Sequence, residues 1–251
     1  MGNFKINCDD DNQNFVATQS YYELLRSFLK LKNQRGRILH VVGAPGVGKS
    51  ANIYQACAEM ELKVYEAGLF LDNENVEPKK VFELTMNSMK KDLGVKTDLE
   101  LYRKLKEFDL ILIADRFHDS HLLKPDTVGY SQWSAHKGWS AVFYYFYCIK
   151  EYLGHKNDFR NLNLVFQTSW RVYLNAKKFD LFTELGIISR IALSLLKIPF
   201  QVVEITYSPL ETINIVKSHF NYVDEDRIKK GISIYDCKPR FICEAIKAGK
   251  I

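Results

Sequence analysis

The chain has 251 residues, of which 47% are hydrophobic, and its 35 Lys and Arg residues exceed its 30 Asp and Glu residues by five charges. This is an ordinary globular composition, and a chain of this length can bury a core without disulfides or a structural metal. The small positive charge permits a nucleic-acid partner, but it excludes the strongly basic class of proteins that coat DNA.

Cysteine usage and the N-terminal segment indicate the compartment. The five cysteines form no C-x-x-C pair, so the sequence predicts no disulfide framework and a reducing environment. The first residues are polar and acidic, unlike a signal peptide, and the longest apolar stretch is too short to cross a bilayer. We therefore expect a soluble cytoplasmic protein without membrane contact.

Hydrophobic periodicity predicts alternating helices and strands over the first half of the chain. Helices are predicted over 18–31, 49–60, 78–93 and 98–108, and strands over 37–42, 62–66 and 110–114. The run at 110–114 is wholly apolar, which is typical of a parallel strand covered on both faces. The segment 117–138 has no clear period and is predicted to be a loop.

The second half of the chain continues the pattern and ends in a helical unit. An aromatic-rich helix is expected over 139–153, a strand over 162–167, mixed helical segments to about 196, and a last strand over 200–206. Three further helices are predicted over 210–219, 224–230 and 239–247. Strands that alternate with helices predict a parallel sheet between helical layers. We expect an α/β domain over 1–206 and a small helical subdomain over 207–251.

The connection between the first predicted strand and the next helix carries the strongest chemical motif. It reads Gly-Ala-Pro-Gly-Val-Gly-Lys-Ser from position 43 and matches the phosphate-binding pattern G-x-x-x-x-G-K-[ST]. The glycines let successive backbone N–H groups turn inward to phosphate oxygens, and the following helix adds its positive dipole end. The predicted nucleotide-binding residues are Gly43, Ala44, Pro45, Gly46, Val47, Gly48, Lys49, Ser50 and Ala51.

This motif predicts a nucleoside triphosphate with Mg²⁺ as the ligand. Lys49 supplies a point charge for the terminal phosphates, and the Ser50 hydroxyl is a Mg²⁺ ligand. A second Mg²⁺ ligand is expected from a carboxylate on a neighbouring strand, and Asp115 follows the apolar strand at that place. The sequence contains no N-K-x-D, the motif that reads guanine in GTP-binding proteins.

The residue that would activate water is less clear from the sequence. Many ATPases place Glu directly after the strand-end Asp, but position 116 is Arg, which cannot act as a base. Glu66, at the end of the second predicted strand, is the preferred substitute, and Asp119 is the alternative.

With these motifs placed, the sequence resembles the AAA+ ATPases, and among them the replication initiators of the DnaA-like and archaeal Orc/Cdc6-like kind, from about residue 15 onward. Phe15 and the next four residues resemble the segment that packs on adenine. Val165-Phe-Gln-Thr-Ser resembles the sensor-1 strand, which implies that Thr168, or else Gln167, reads the γ-phosphate.

Two arginines are assigned through the same resemblance. Arg190 stands where the family has its arginine finger, which acts on the nucleotide of the next subunit. Arg240, in Lys-Pro-Arg-Phe-Ile, stands in the sensor-2 motif, where it reaches the γ-phosphate. The implied fold is a P-loop NTPase three-layer sandwich, with a parallel sheet in order 5-1-4-3-2 and a C-terminal helical lid.

The resemblance implies an ATPase that forms a homo-oligomer, a ring or filament, and that remodels or loads onto DNA, or a DNA-bound protein, in replication. Arg116 departs from the family pattern, and the sequence reaches Ile251 without the DNA-binding domain that follows the lid in initiators. A nucleotide-dependent scaffold or switch with little hydrolysis, or a DNA-packaging motor, are the alternatives. The compact organisation is also similar to AAA+ proteins of archaeal spindle-shaped viruses.

A group of histidines and a group of aromatic residues are two other candidate sites. His118, His121 and His136 lack an accompanying cysteine, and the H-x-x-H in a loop is a poor zinc pattern, so we expect solvated side chains. The aromatic residues of 139–153 are expected to lie in the core. Trp133, beside basic residues of the predicted loop, is a candidate for stacking on nucleic-acid bases.

Overall fold

The structure is a computed structural model that describes residues 14–67, 70–71, 73–113, 128–174 and 177–251. Its helices are α1 Gln19–Asn33, α2 Lys49–Glu59, α3 Pro78–Leu93, α4 Asp98–Leu105, α5 Tyr130–Lys137, α6 Val142–Gly154, α7 Lys156–Phe159, α8 Ile187–Leu196, α9 Pro209–His219, α10 Glu225–Tyr235 and α11 Pro239–Lys247. Its strands are β1 Ile38–Val42, β2 Val64–Ala67, β3 Phe70–Leu71, β4 Leu110–Ile113, β5 Val128–Gly129, β6 Leu164–Thr168, β7 Arg171–Leu174, β8 Lys177–Asp180 and β9 Gln201–Glu204.

Five of these strands form one parallel sheet in the spatial order β2-β4-β6-β1-β9. Counting only these five along the chain gives the order 5-1-4-3-2, so the predicted topology is confirmed. β1 lies between β6 and β9, which places its carboxyl end in the middle of the sheet. Ligands of open α/β sheets bind at this edge, where the strand order reverses.

Helices cover both faces of the sheet and make three layers. On one face, residues of α1 and α2 such as Phe28 and Ile53 pack on Val41 and Val165. On the other face, residues of α3 and α4 pack on Tyr65 and Ile111. Both faces of the central strands are shielded from water, so their side chains are apolar on both faces and their sequences are continuous hydrophobic runs.

The last three helices surround a hydrophobic cluster of their own. The buried residues of this cluster include Val216, Ile228 and Ile242, which come from α9, α10 and α11 respectively. α9 begins with a capping box, in which the Ser208 hydroxyl accepts from the Glu211 amide and the Glu211 carboxylate returns to Ser208. The division of the chain at residues 206 and 207 remains a prediction.

The expectation of a loop over 117–138 is wrong at its C-terminal end, where α5 forms; residues 117–127 lie outside the described part. The sequence of α5 has almost no apolar period, so the helix depends on tertiary contacts. Trp133 is fully buried and its indole N–H donates to the Val76 carbonyl at 2.6 Å. Since its ring is enclosed by protein, Trp133 cannot stack on a nucleic-acid base.

The expectation of helical segments after β6 is wrong up to residue 180. β7 and β8 form an antiparallel ribbon, in which Val172 pairs with Phe179. The ribbon is closed at its base because the Trp170 amide donates to the Asp180 carboxylate and the Leu181 amide donates to the Trp170 carbonyl. These four-residue strands are too short for hydrophobic periodicity to reveal them.

Helix α6 also differs from expectation. Its aromatic residues were expected in the core, but Phe143 and Phe146 are exposed, with 54% and 56% of their surface accessible, while Tyr144 is buried. Exposed Trp139, in the 3-10 helix before α6, lies near Trp170. α6 therefore buries one side against α3 and presents a row of apolar side chains on the other.

A histidine lies inside the sheet. His40 is buried on β1, its Nδ1 lies 3.1 Å from the Thr168 hydroxyl on β6, and its ring stacks on Phe166 beside Phe200. Burial among aromatic rings disfavours the imidazolium and lowers the pKa of His40 to about 4.

We expect acid to destabilise the fold through His40. Because its folded pKa lies below that of the unfolded chain, its contribution is complete above about pH 6.5 and is lost as the pH falls towards 4, by about 3 kcal/mol. Urea unfolding between pH 7 and pH 4.5 measures this loss. In His40→Gln, which cannot take up a proton, the decline should be smaller, and an equal decline would contradict the assignment.

Candidate nucleotide-binding site

The predicted phosphate loop joins β1 to α2 at the carboxyl edge of the sheet. α2 begins at Lys49, and its N-cap Gly48 has φ of 82° and no side-chain cap. Gly46 also has a positive φ, of 86°, which a residue with a Cβ adopts only with strain. The first amides of α2 therefore have no side-chain cap, and the N-terminus of a helix is a favourable place for an anion.

Lys49 is the central charged group of the loop. Only 7% of the residue is exposed, and its ammonium donates to the carbonyls of Gly43 at 2.6 Å and Ala44 at 3.1 Å. It also donates to the Ser169 hydroxyl at 2.9 Å, and that hydroxyl donates to the Gly43 carbonyl. Ser169 directly follows β6, so the neighbouring strand and the loop hold the same ammonium group.

Ser50, the predicted Mg²⁺ ligand, contacts the end of the same strand. Its hydroxyl lies 3.0 to 3.2 Å from the side-chain amide of Gln167. Successive residues of a strand point to opposite faces, so Thr168 points away from α2 and lies against His40. Of the two residues considered for sensor 1, Gln167 reaches the loop in this structure and Thr168 does not.

The predicted carboxylates are only partly placed by the structure. Glu66 lies on β2, on the face that carries α2, and accepts from the Tyr54 hydroxyl at 2.8 Å. Asp115, Arg116 and Asp119 lie outside the described residues. Within the described ranges, no group of three or more His, Cys, Asp or Glu residues could hold a metal ion.

The C-terminal helix lies on the phosphate loop. The Arg240 amide donates to the Gly46 carbonyl at 3.2 Å, and the ring of Phe241 packs so close that a Cβ on Gly46 would come within 2.9 Å of it. The guanidinium of Arg240 pairs with Glu244, one turn along α11, at 2.8 Å. The backbone of the predicted sensor-2 motif is thus at the loop, while its arginine side chain is bound to its own helix.

Arg190, the predicted arginine finger, lies exposed on α8. The residue before it, Ser189, is buried, and its hydroxyl accepts from the Leu185 amide at 2.8 Å. Large apolar residues on the same helix are exposed as well, namely Ile187, Ile188, Ile191 and Leu195.

The other side of the loop is formed by residues that the sequence analysis missed. Asn52 donates to the Gly48 carbonyl at 2.8 Å and to the Tyr207 hydroxyl at 2.7 Å. The Asn52 Oδ1 atom is buried and has no hydrogen-bond partner among the described residues. Phe15 packs on Tyr21 of α1, in the hydrophobic cluster to which Tyr207 also belongs.

Asp180 is a further residue that the sequence analysis missed. It is completely buried, and its carboxylate accepts from the Trp170 amide at 2.9 Å and from the Thr183 hydroxyl at 2.7 Å. Burial raises the pKa of Asp180, and these hydrogen bonds and the charge of Lys49 oppose that rise. Ser169 ends the Val165-Phe-Gln-Thr-Ser stretch of the sequence analysis, where no role was assigned to it, and Asp180 has no sequence signal.

The residues fit a polyphosphate with Mg²⁺ in three respects. The start of the loop has no room for a side chain, since a Cβ at Gly43 would lie 2.8 Å from the Ile205 carbonyl after β9 and 3.0 Å from the Val47 side chain. A buried cation stands at the loop, and a hydroxyl stands in the first turn of α2. Mg²⁺ keeps several waters and usually takes few protein ligands beside phosphate oxygens, so Ser50 suits this role.

Comparison with known proteins gives matches at the level of structure only. No family model matches the chain, and no curated protein matches it. Solved structures that are similar to it include a replication initiator DnaA bound to AMPPCP and single-stranded DNA, with 15% identity and a TM-score of 0.46. That match covers 95% of this chain and 63% of the initiator.

Two further structures are similar in the same way. A Walker-type ATPase of Pyrococcus abyssi has 11% identity and a TM-score of 0.46, over 90% of this chain and 67% of that one. The DnaC helicase loader has 12% identity and a TM-score of 0.31, over 76% of this chain and 93% of that one. Replication initiators are thus among the solved structures to which this chain is similar. Nothing among them bears on a viral origin.

No helix in the described ranges combines the length and apolar character needed to cross a membrane.

Replacing Gly46 with Ala should destabilise the protein by about 1–2 kcal/mol, because the new Cβ adds backbone strain and collides with Phe241. Gly94→Ala is the matched control, since Gly94 also has a positive φ, of 67°, but no atom within 4 Å of an added Cβ. Urea unfolding measures the free energy of unfolding of both variants. The loss in Gly94→Ala reports backbone strain alone, and the additional loss in Gly46→Ala reports the collision with Phe241. Equal losses would contradict the packing of Phe241 on the loop.

Proposed function

We propose that this protein is an ATP-binding, AAA+-like ATPase that hydrolyses ATP at subunit interfaces and uses the energy to remodel or load onto DNA in replication. The observation that carries the proposal is the buried ammonium of Lys49, which three oxygen atoms hold at a glycine loop between a central strand and a helix. A phosphate oxygen can replace these neutral acceptors with a stronger, charge-assisted partner.

Each neighbouring group has a defined part in this proposal. Ser50 would ligate Mg²⁺ together with Asp115, and the metal would neutralise charge on the phosphates when bound. Gln167, which already contacts Ser50, is better placed than Thr168 to sense the terminal phosphate. Glu66 remains the proposed carboxylate for orienting water. The mechanism is positioning and charge stabilisation of an in-line attack by water.

The two arginines would complete the site. Arg190 is exposed on α8, as a residue that acts on a neighbouring subunit must be. Arg240 would exchange its partner Glu244 for the terminal phosphate, which costs little because an exposed i,i+4 pair contributes only about 0.3–0.5 kcal/mol. The proposed partners are therefore further copies of this chain, and DNA or a protein bound to it.

A second candidate function is a nucleotide-dependent scaffold or switch that binds ATP and scarcely hydrolyses it. Arg116 favours it, because this residue stands where related ATPases have the glutamate that activates water. The two functions share the binding site and differ only in turnover.

Loss of the Lys49 ammonium should weaken Mg·ATP binding by roughly ten- to hundredfold, because a charged hydrogen bond is worth about 1.5–3 kcal/mol. Fluorescent-nucleotide titration of Lys49→Ala measures this, with Lys79→Ala on the exposed face of α3 as the control.

Phosphate release by the wild-type protein should exceed the background of Lys49→Ala and should increase with single-stranded DNA. Binding without turnover would establish the switch, and wild-type protein that binds no Mg·ATP would overturn both functions.

Mixing two inactive variants tests whether two neighbouring subunits contribute residues to one nucleotide-binding site. Lys49→Ala lacks the phosphate-binding lysine and Arg190→Ala lacks the residue supplied to the neighbour, so each should be inactive alone. In a mixture, some interfaces pair an intact phosphate loop with an intact Arg190, and part of the activity should return. An inactive mixture, in a preparation that gel filtration shows to be oligomeric, would argue against Arg190 as the shared residue.

A further inference from the structure

A polar connection joins the phosphate loop to the C-terminal helix through two acidic residues that none of the predicted motifs contains. It runs through Asp180 and Glu184, in and after strand β8, and ends at Lys238. Its three steps are two hydrogen bonds and an ion pair between partly or wholly buried groups.

The first step holds the end of β6. Ser169 contacts both Lys49 and the Gly43 carbonyl, so its position determines how the ammonium is held. The next residue, Trp170, is fixed through both of its backbone groups: its amide donates to Asp180, and its carbonyl accepts from Leu181. Asp180 is thus placed to position Ser169 through the backbone of Trp170.

The second step joins Asp180 to Glu184. The Asp180 amide donates to the Glu184 Oε2 atom at 2.6 Å, and the Glu184 amide donates back to the Asp180 carbonyl at 3.0 Å. The turn between the two residues is therefore fixed from both ends. Movement of the Glu184 carboxylate would be transmitted to the peptide that carries Asp180.

The third step crosses to the helical unit. The other oxygen of Glu184 forms an ion pair with Lys238, the residue directly before α11, and each side chain is only 19% exposed. An ion pair so shielded from water is screened less than a surface pair, and leaving one partner alone is costly. The two residues after Pro239 are Arg240 and Phe241, which contact Gly46.

Both ends of this series of contacts lie at the phosphate loop, one at Lys49 and the other at Gly46. We propose that Lys238 and Glu184 form a latch that holds α11 on the phosphate loop, and that Asp180 ties this latch to Ser169 and Lys49. Lys238, Glu184 and Asp180 are positioning residues in this proposal, because each acts on the loop through another group. The consequence for the ligand rests on the proposed function: a nucleotide in the loop would be retained by the latched helix.

The latch can be opened by single substitutions that leave the loop intact. Lys238→Met removes the cation, and Glu184→Gln removes the charge but keeps an acceptor for the Asp180 amide. Lys238→Arg retains the cation and should behave as wild type. Lys217→Met is the matched control, because it breaks an ion pair with Glu225 within the same helical unit, where both partners are more than 40% exposed.

The first measurement is hydrogen–deuterium exchange, which needs no nucleotide. Peptides covering 239–247 include the Arg240 amide, which donates to Gly46. Exchange there should become faster in Lys238→Met and Glu184→Gln, and the double variant should show no further increase. Exchange in Lys217→Met should match the wild type at this segment. If Lys238→Met exchanges as slowly as Lys217→Met, the latch is contradicted.

The second measurement is the dissociation rate of a fluorescent ATP analogue with Mg²⁺, chased with unlabelled ATP. Both latch variants should release it about tenfold faster than wild type, as expected for loss of a shielded ion pair. Lys238→Arg and Lys217→Met should release it at the wild-type rate. Equal rates in all variants would contradict retention by the latch.

The two measurements separate the latch from the proposed function. If the wild type fails to bind the nucleotide, the proposed function is lost, and the exchange rates still decide whether Lys238 holds α11. If the wild type binds and the latch variants behave as Lys217→Met in both measurements, the latch alone is wrong.

Discussion

The structure around the candidate site depends on one constraint, the burial of the Lys49 ammonium. A charged group removed from water is stable only when hydrogen-bond acceptors replace the lost hydration. Here the acceptors come from two different parts of the chain, the loop carbonyls after β1 and the Ser169 hydroxyl after β6. The buried charge therefore fixes the loop against the neighbouring strand, and in the proposed function it also binds the phosphates of the nucleotide.

The position of this cation follows from the sheet topology. Because β1 lies between β6 and β9, the loop that follows it is flanked by the ends of two other strands. β6 supplies Gln167 and Ser169 on one side, and the segment after β9 supplies Tyr207 on the other. A parallel sheet brings all of these ends to one edge, so residues more than a hundred positions apart form a single cluster of hydrogen-bonded polar side chains.

The helical unit is part of the same site. α11 meets the loop through a backbone hydrogen bond and an aromatic ring, both at Gly46, where the absence of a side chain allows the close approach. The ribbon β7–β8 and the turn that follows it supply the second connection, through Asp180 and Glu184. The loop, strand β6 and the helical unit are thus mutually constrained, which the proposed function requires if an event at a phosphate is to change the position of a helix.

The sequence by itself determined the order and type of most elements, the phosphate loop, and through a family resemblance the sheet order. These features are local or periodic: glycine spacing fixes a turn, and apolar runs fix buried strands. Only the tertiary structure decided that α5 and the β7–β8 ribbon form, that Gln167 rather than Thr168 faces the loop, and that Asp180 and Lys238 belong to its surroundings. Each of these depends on contacts between residues distant in the chain or on which face of a strand meets a helix, and the spacing of residues along the chain contains neither.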